Sequence, residues 1–282
     1  MQLPLLQRVL GTPSSSRQGT ALPDKSVAQL RIKDNYPAGG SPQVSAVTFD
    51  VWSTLLDING FYRAAARALA ERVGGCEEEA LENLLRAYAA VKAARRKGLI
   101  DESNVVKSST EIALRSLPGV TEQDLYWAFS RAVNTVDAGS IVLEGAEEAL
   151  TSLRNAGYRL GVVSNVIYWP GYLTRTVLDK AGLSGYFRVQ VYADEVRCLK
   201  PHPRIFAVAL NLLGAESRES AHVGDSPFED LAGALASEMA GVLVDRGSGE
   251  KVLLRKQRIA IVGTLKEVPE AVSLLLAPRL RE

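Results

Sequence analysis

Four polar signatures follow one another along this chain, each where an apolar run gives way to a turn. Asp50 closes the run Val44-Ser45-Ala46-Val47-Thr48-Phe49 and opens Asp50-Val51-Trp52-Ser53-Thr54. Later come Gly161-Val162-Val163-Ser164-Asn165, then Lys200-Pro201, then His222-Val223-Gly224-Asp225-Ser226 with Asp230 behind it. Open α/β sheets place their chemistry where strands emerge into loops. A carboxylate, a hydroxyl, a lysine and an acidic pair at such places suggest a nucleophile, an anion cradle and a metal site. Two carboxylates five residues apart across a strand-to-helix turn can reach one hard cation through oxygen ligands, which suits Mg2+.

The elements needed to hold these residues are legible around them. One strand precedes Asp50, and about eighty residues of purely helical periodicity follow: a helix from Phe61 to Val73, then Glu77 to Lys97, Asn104 to Leu117 and Thr121 to Val136. Thr121 and Asp124 nearly match a capping box. Beyond Val136 helices and short apolar strands alternate: helices over 145–156, 172–181, 203–213, 228–237 and 268–276, strands over 159–163, 187–192, 220–223, 241–244 and 259–262. That alternation predicts an α/β fold, a Rossmann-like parallel sheet covered on both faces. The predicted organisation is a core of residues 44–57 and 139–282, interrupted at 58–138 by an all-helical cap lying over the strand ends. Residues 1–43, rich in Ser, Pro and Gly without apolar periodicity, read as a disordered N-terminal tail.

Composition narrows the function classes. The 282 residues carry a net charge of +1, so nothing points to nucleic acid or to an acidic membrane surface. No apolar stretch reaches the ~20 residues that span a bilayer. Two cysteines and two histidines leave little for a disulfide framework, a zinc site or a Ser-His-Asp triad, and fit a soluble cytoplasmic protein. The expected partner is a small anionic molecule.

Order, spacing and residue types together resemble the haloacid dehalogenase superfamily of hydrolases, with the insert in the place of its helical cap. The resemblance implies that Asp50 is the nucleophile, that Thr54 orients the loop, and that Ser164 and Asn165 hold a phosphate oxygen or leaving group. It implies Lys200 as the charge-balancing cation. It further implies Mg2+ held by Asp50, the main-chain carbonyl of Trp52, Asp225 and Asp230. Arg86 on the cap is an expected substrate contact, as are Tyr168 and Trp169 after Ser164-Asn165, which could equally pack against the cap. Lys92, Arg95, Arg96 and Lys97 read as a solvated helix face, the alternative being a face turned to an anionic substrate. Ser53 stands where relatives usually carry glycine.

One position departs from the family's phosphatases. Their second aspartate, two residues after the nucleophile, acts as general acid and base; here that residue is Trp52, whose indole cannot shuttle a proton. The 2-haloacid dehalogenases also carry an aromatic there but lack the Gly-Asp-Ser…Asp arrangement. A Mg2+-dependent phosphatase working through an aspartyl-phosphate is the favoured expectation. A 2-haloacid dehalogenase is one alternative, and a weakly catalytic binding member of the fold is another.

Overall fold

The computed structural model describes residues 45–277 apart from 248 and 250, so the segment expected as a tail lies outside the described residues. Strands β1 (Ala46–Phe49), β2 (Arg159–Ser164), β3 (Val189–Tyr192), β4 (Ser220–Gly224), β5 (Ala240–Val244), β6 (Val252–Leu254) and β7 (Ile259–Val262) form one sheet, ordered β3-β2-β1-β4-β5-β7-β6. All neighbours run parallel except β6, which lies antiparallel on the edge beside β7. β1 is buried at every position, as its unbroken apolar run requires in a sheet covered on both faces. Phe49 pairs with Val162 of β2 on one side and Val223 of β4 on the other. The next residues of all three strands therefore emerge together, and strand order reverses at this point, where α/β sheets form a crevice.

Four helices lie between β1 and β2: α1 (Ile58–Val73), α2 (Glu77–Arg96), α3 (Val105–Leu114) and α4 (Glu122–Thr135). Asp57 caps α1 by accepting from the amides of Asn59 and Gly60 at 3.0 and 3.2 Å. The Thr121–Asp124 pair closes a full capping box at the start of α4. Helices α5 (Ala146–Asn155), α6 (Gly171–Lys180), α7 (Pro203–Leu213) and α8 (Val268–Leu276) accompany the later strands.

Two local features differ from the sequence expectation. The edge strand β6 has no clear apolar alternation, and its pairing with β7 supplies what its sequence does not. Residues 228–237 do not form one regular helix: Pro227–Ala232 is a π-helical turn leading into a short α-helical turn, Gly233–Ala236. The wide turn swings Asp230 back onto β4, so close that a Cβ on Gly224 would overlap its carboxyl group.

An aromatic cluster joins the inserted helices to the loops at the strand ends. Trp52 stacks on Phe61 at 4.8 Å between ring centres, and Trp169 stacks on Phe129 at 4.6 Å. Both indole N–H groups donate to one hydroxyl, Thr174 Oγ1, at 3.1 and 3.2 Å. Tyr168 donates to the Tyr62 hydroxyl at 2.8 Å and is fully buried. Such rings combine large apolar burial with geometry-specific contact. Phe129→Ala is therefore expected to destabilise the protein by about 3–5 kcal/mol in chemical denaturation. A loss below about 1 kcal/mol would mean that other contacts hold these helices to the sheet.

Candidate active site

Lys200 organises the end of β1. Its side chain is 1% exposed, and its three ammonium protons meet Asp50 Oδ1 at 2.7 Å, Asp230 Oδ1 at 2.7 Å and the Val163 carbonyl at 2.8 Å. A lysine has three N–H donors, so each has an acceptor. Ser164 Oγ also donates to Asp50 Oδ1, at 2.9 Å. Both contacts fall on that one oxygen, which leaves Oδ2 outside them.

Asp230 is anchored more completely. Besides Lys200, its Oδ1 meets His222 Nε2 at 3.1 Å, while Oδ2 accepts from the Ser226 amide at 2.9 Å. His222 Nδ1 lies 2.8 Å from Thr48 Oγ1, so a neutral ring donating through Nε2 satisfies both contacts. An ionised carboxylate offers about four acceptor positions, so one remains for a cation. Oxygens of Asp50, Asp225 and Asp230 lie within 4.8 Å of one another. Three carboxylates with no sulfur or imidazole in the group make a donor set for a small hard divalent ion.

The charges explain one another. Burial pushes Asp225 up to about 7, and Asp50 and Asp230 push the same way. Asp50 is raised by burial and by Asp230, against the pull of Lys200. Burial also pushes Asp230 up, but Lys200 and His222 outweigh it and hold the carboxyl well below the usual range. Burial would lower Lys200, yet Asp230 and Asp50 keep it above the ordinary lysine value.

Above Asp50 is a cavity of about 30 Å³, lined by Asp50, Trp52, Asn165, Asp225 and Asp230 from the core and by Tyr88, Lys92 and Arg95 from α2, among others. That volume suits a water molecule or an ion. Ser164 and Lys200 touch Asp50 without lining this space. Thr54 does not line it either: its hydroxyl is buried without a partner among the described residues. Ser53, at the glycine-like position, has φ 61°, and Arg246 holds the turn by donating to the Ser53 and Thr54 carbonyls at 2.7 and 3.0 Å.

Two expected substrate contacts are elsewhere. Arg86 is exposed and paired with Glu82 at 3.1 Å, because its place on α2 faces away from the cavity. Tyr168 belongs to the aromatic cluster, since an apolar ring beside Tyr62, Phe129 and Trp169 gains more from packing than from facing the polar site. The helix face read as solvated is divided: Arg96 and Lys97 are exposed, Lys92 is half-buried over the Tyr88 ring, and Arg95 is buried. Arg95 pairs with Glu229 at 3.1 Å and donates to the Val166 carbonyl at 2.5 Å. Asn165 reaches the cavity wall, but its amide is engaged with the Lys200 main chain and with Glu229. Sequence reasoning read Arg95 as solvated and gave Glu229 and His222 no role in the site. The signal for Arg95 was the helix face that it shares with Lys92 and Arg96.

This geometry agrees with what the chain resembles. The profile of the haloacid dehalogenase-like hydrolases matches residues 44–237, and the chain belongs to that family. A probable phosphatase, IndB of Dickeya dadantii, is 33% identical over 152 residues, covering 54% of this chain and 64% of that protein. The chain thus spans less than two-thirds of that relative. The glyceraldehyde 3-phosphate phosphatase of Methanothermobacter thermautotrophicus is 29% identical over 208 residues, 72% of this chain and 86% of the relative. The crystal structure of L-2-haloacid dehalogenase from Xanthobacter autotrophicus covers 82% of this chain and 98% of its own, with TM-score 0.59 at 19% identity. At that identity the likeness is one of fold.

A pH experiment tests the charge arrangement. Between pH ~4 and ~7 the native metal-free protein keeps a proton on Asp225 that the unfolded chain has lost, so this group costs stability as pH rises. His222, lowered by burial, acts in the opposite sense, so the comparison must isolate position 225. The stability of Asp225→Asn relative to the parent should climb across that window, by at most about 1.4 kcal/mol per pH unit. Urea denaturation in EDTA measures it, and a pH-independent difference would contradict the burial of Asp225 among like charges.

Proposed function

We propose that this protein is a Mg2+-dependent phosphatase of small phosphorylated metabolites, acting through an aspartyl-phosphate on Asp50. The convergence of Asp50, Asp225 and Asp230, with the Lys200 ammonium between two of them, carries the reading. Asp50, Asp225, Asp230 and the Trp52 carbonyl would hold the ion, which when bound would neutralise phosphoryl charge and leave Asp225 ionised. Lys200 and Ser164 orient Asp50 through Oδ1. Oδ2 then attacks phosphorus in line as the bond to the leaving oxygen breaks, and that oxygen departs with the electron pair. Water next attacks the same phosphorus, the bond to Asp50 breaks, and inorganic phosphate and the free carboxylate are regenerated. Phosphatase names among its relatives and two free cysteines, Cys76 and Cys198, support a metabolic, cytoplasmic setting.

Trp52 shapes the preference among esters. Its indole is 6% exposed, stacked and hydrogen-bonded, so position 52 supplies no proton to the leaving group. Restoring the family's acid by Trp52→Asp would strand a carboxylate among Phe61 and Trp169 and cost the fold its stacking. The departing oxygen must instead leave without that help, worth about 10²–10⁴-fold. Aryl and acyl phosphates should accordingly be turned over that much faster than alkyl phosphates, and a flat dependence on leaving-group pKa would overturn this assignment.

The reaction is checked by phosphate release from an aryl phosphate. Activity should require Mg2+, vanish in EDTA and fall by roughly 10³-fold or more in Asp50→Asn. Halide release from a 2-haloacid, indifferent to EDTA, would replace the reading with dehalogenation. Inactivity in both assays would leave a binding role.

A further inference from the structure

A continuous chain of buried polar contacts runs from the inserted helices to the Lys200 backbone. Arg95, near the end of α2, has a side chain only 4% exposed and sets one guanidinium nitrogen against both carboxylate oxygens of Glu229, at 3.1 and 3.3 Å. Glu229 Oε2 accepts from Asn165 Nδ2 at 3.0 Å. Asn165 in turn clasps Lys200 on both sides of its Cα: Oδ1 accepts from the Lys200 amide at 2.8 Å, and Nδ2 donates to the Lys200 carbonyl at 3.1 Å. The Lys200 ammonium ends the chain on Asp50.

Each contact is short, and the outer pair is costly to break one-sidedly, because a buried charge without its partner is unstable. Lys92 adds a longer-range attraction to Glu229, but Arg95 is the cation hydrogen-bonded to it, and the neighbour of Glu229 along the turn is Asp230. Tyr88, Lys92 and Arg95 of α2 wall one side of the cavity over Asp50, so withdrawal of that helix would widen the entry for substrate and its return would narrow it. Arg95 leaves and rejoins Glu229 in that motion.

On the reading that Asp50 is the nucleophile, we infer that Arg95 and Glu229 are positioning residues: the return of α2 brings Arg95 to Glu229, which orients Asn165 and so fixes the Lys200 ammonium on Asp50. Closure and alignment of the nucleophile are then one event. A nucleophile displaced by about 1 Å can cost 10²-fold in rate, so the effect falls on kcat.

The experiment compares Arg95→Met, Glu229→Gln and the double variant with the parent, and with Arg96→Met as an exposed neighbour. Amide hydrogen exchange should quicken in Arg95→Met both along α2 and at residues 198–200 and 202, and stay parental in Arg96→Met. With an aryl phosphate and Mg2+, kcat should fall about 10–100-fold while KM stays within about threefold, and the double variant should be no slower than either single one. Exchange that quickens only in α2, losses that multiply in the double variant, or a change confined to KM would each overturn the inference. If Arg95→Met does not fold because Glu229 is stranded, the double variant, which removes both charges, supplies the same exchange comparison. Absence of phosphatase activity in the parent would sink the reaction assigned above, while the exchange result would still decide the coupling.

Discussion

A fully buried ammonium held between two carboxylates sets the terms for everything around it. Lys200 is removed from water, and such a charge is tolerable only when its donors are matched and its field is balanced. The sheet supplies the match. β1 and β2 in parallel register bring Asp50 and the Val163 carbonyl to one edge, and β4 with the wide turn after it returns Asp230 to the same point. The glycine at 224 is what allows that return, since any side chain there would occupy the place of the Asp230 carboxyl. The anchoring is uneven by design of these contacts: Asp230 is pinned by a lysine, a histidine and an amide, whereas Asp225 carries repulsion without an equivalent partner. That unevenness divides one rigid acid from one that answers to whatever cation is present.

The second constraint is aromatic. Residue 52 belongs at once to the turn that follows Asp50 and to the cluster that holds the inserted helices on the sheet. Its ring cannot be exchanged for a carboxylate without dismantling that junction. The departure from the family's usual pair of aspartates is therefore a structural commitment as well as a chemical one. One side chain both lines the cavity over Asp50 and joins the turn to the inserted helices.

How much of this the sequence discloses depends on what each residue's role is made of. Strand ends, helix bounds and the Asp50–Ser164–Lys200–Asp225 order are written in local terms, in apolar runs, glycines and caps, so Pro203–Leu213 and Ile259–Val262 are readable to the residue. Thr121 and Asp124 announce their capping box for the same reason. Arg95 and Glu229 are not readable, because a cation late in a polar helix and an acid early in another look solvated until tertiary packing buries them together. Arg86 and Tyr168 show the converse. Each has the right chemistry for a substrate contact, but a quarter-turn of helix or a neighbouring ring decides where it points. β6 has the weakest pattern of any strand and owes its extended form to β7.

The shared hydroxyl of Thr174 has an optical consequence. Of the chain's three tryptophans, Trp52 and Trp169 lie edge to face at 5.9 Å and donate to that single oxygen, while Trp127 is 37% exposed. Two of the three tryptophans thus sit at the joint between the helices and the turn that follows Asp50. Ultraviolet emission from the unlabelled protein carries a built-in report on whether that joint is dry.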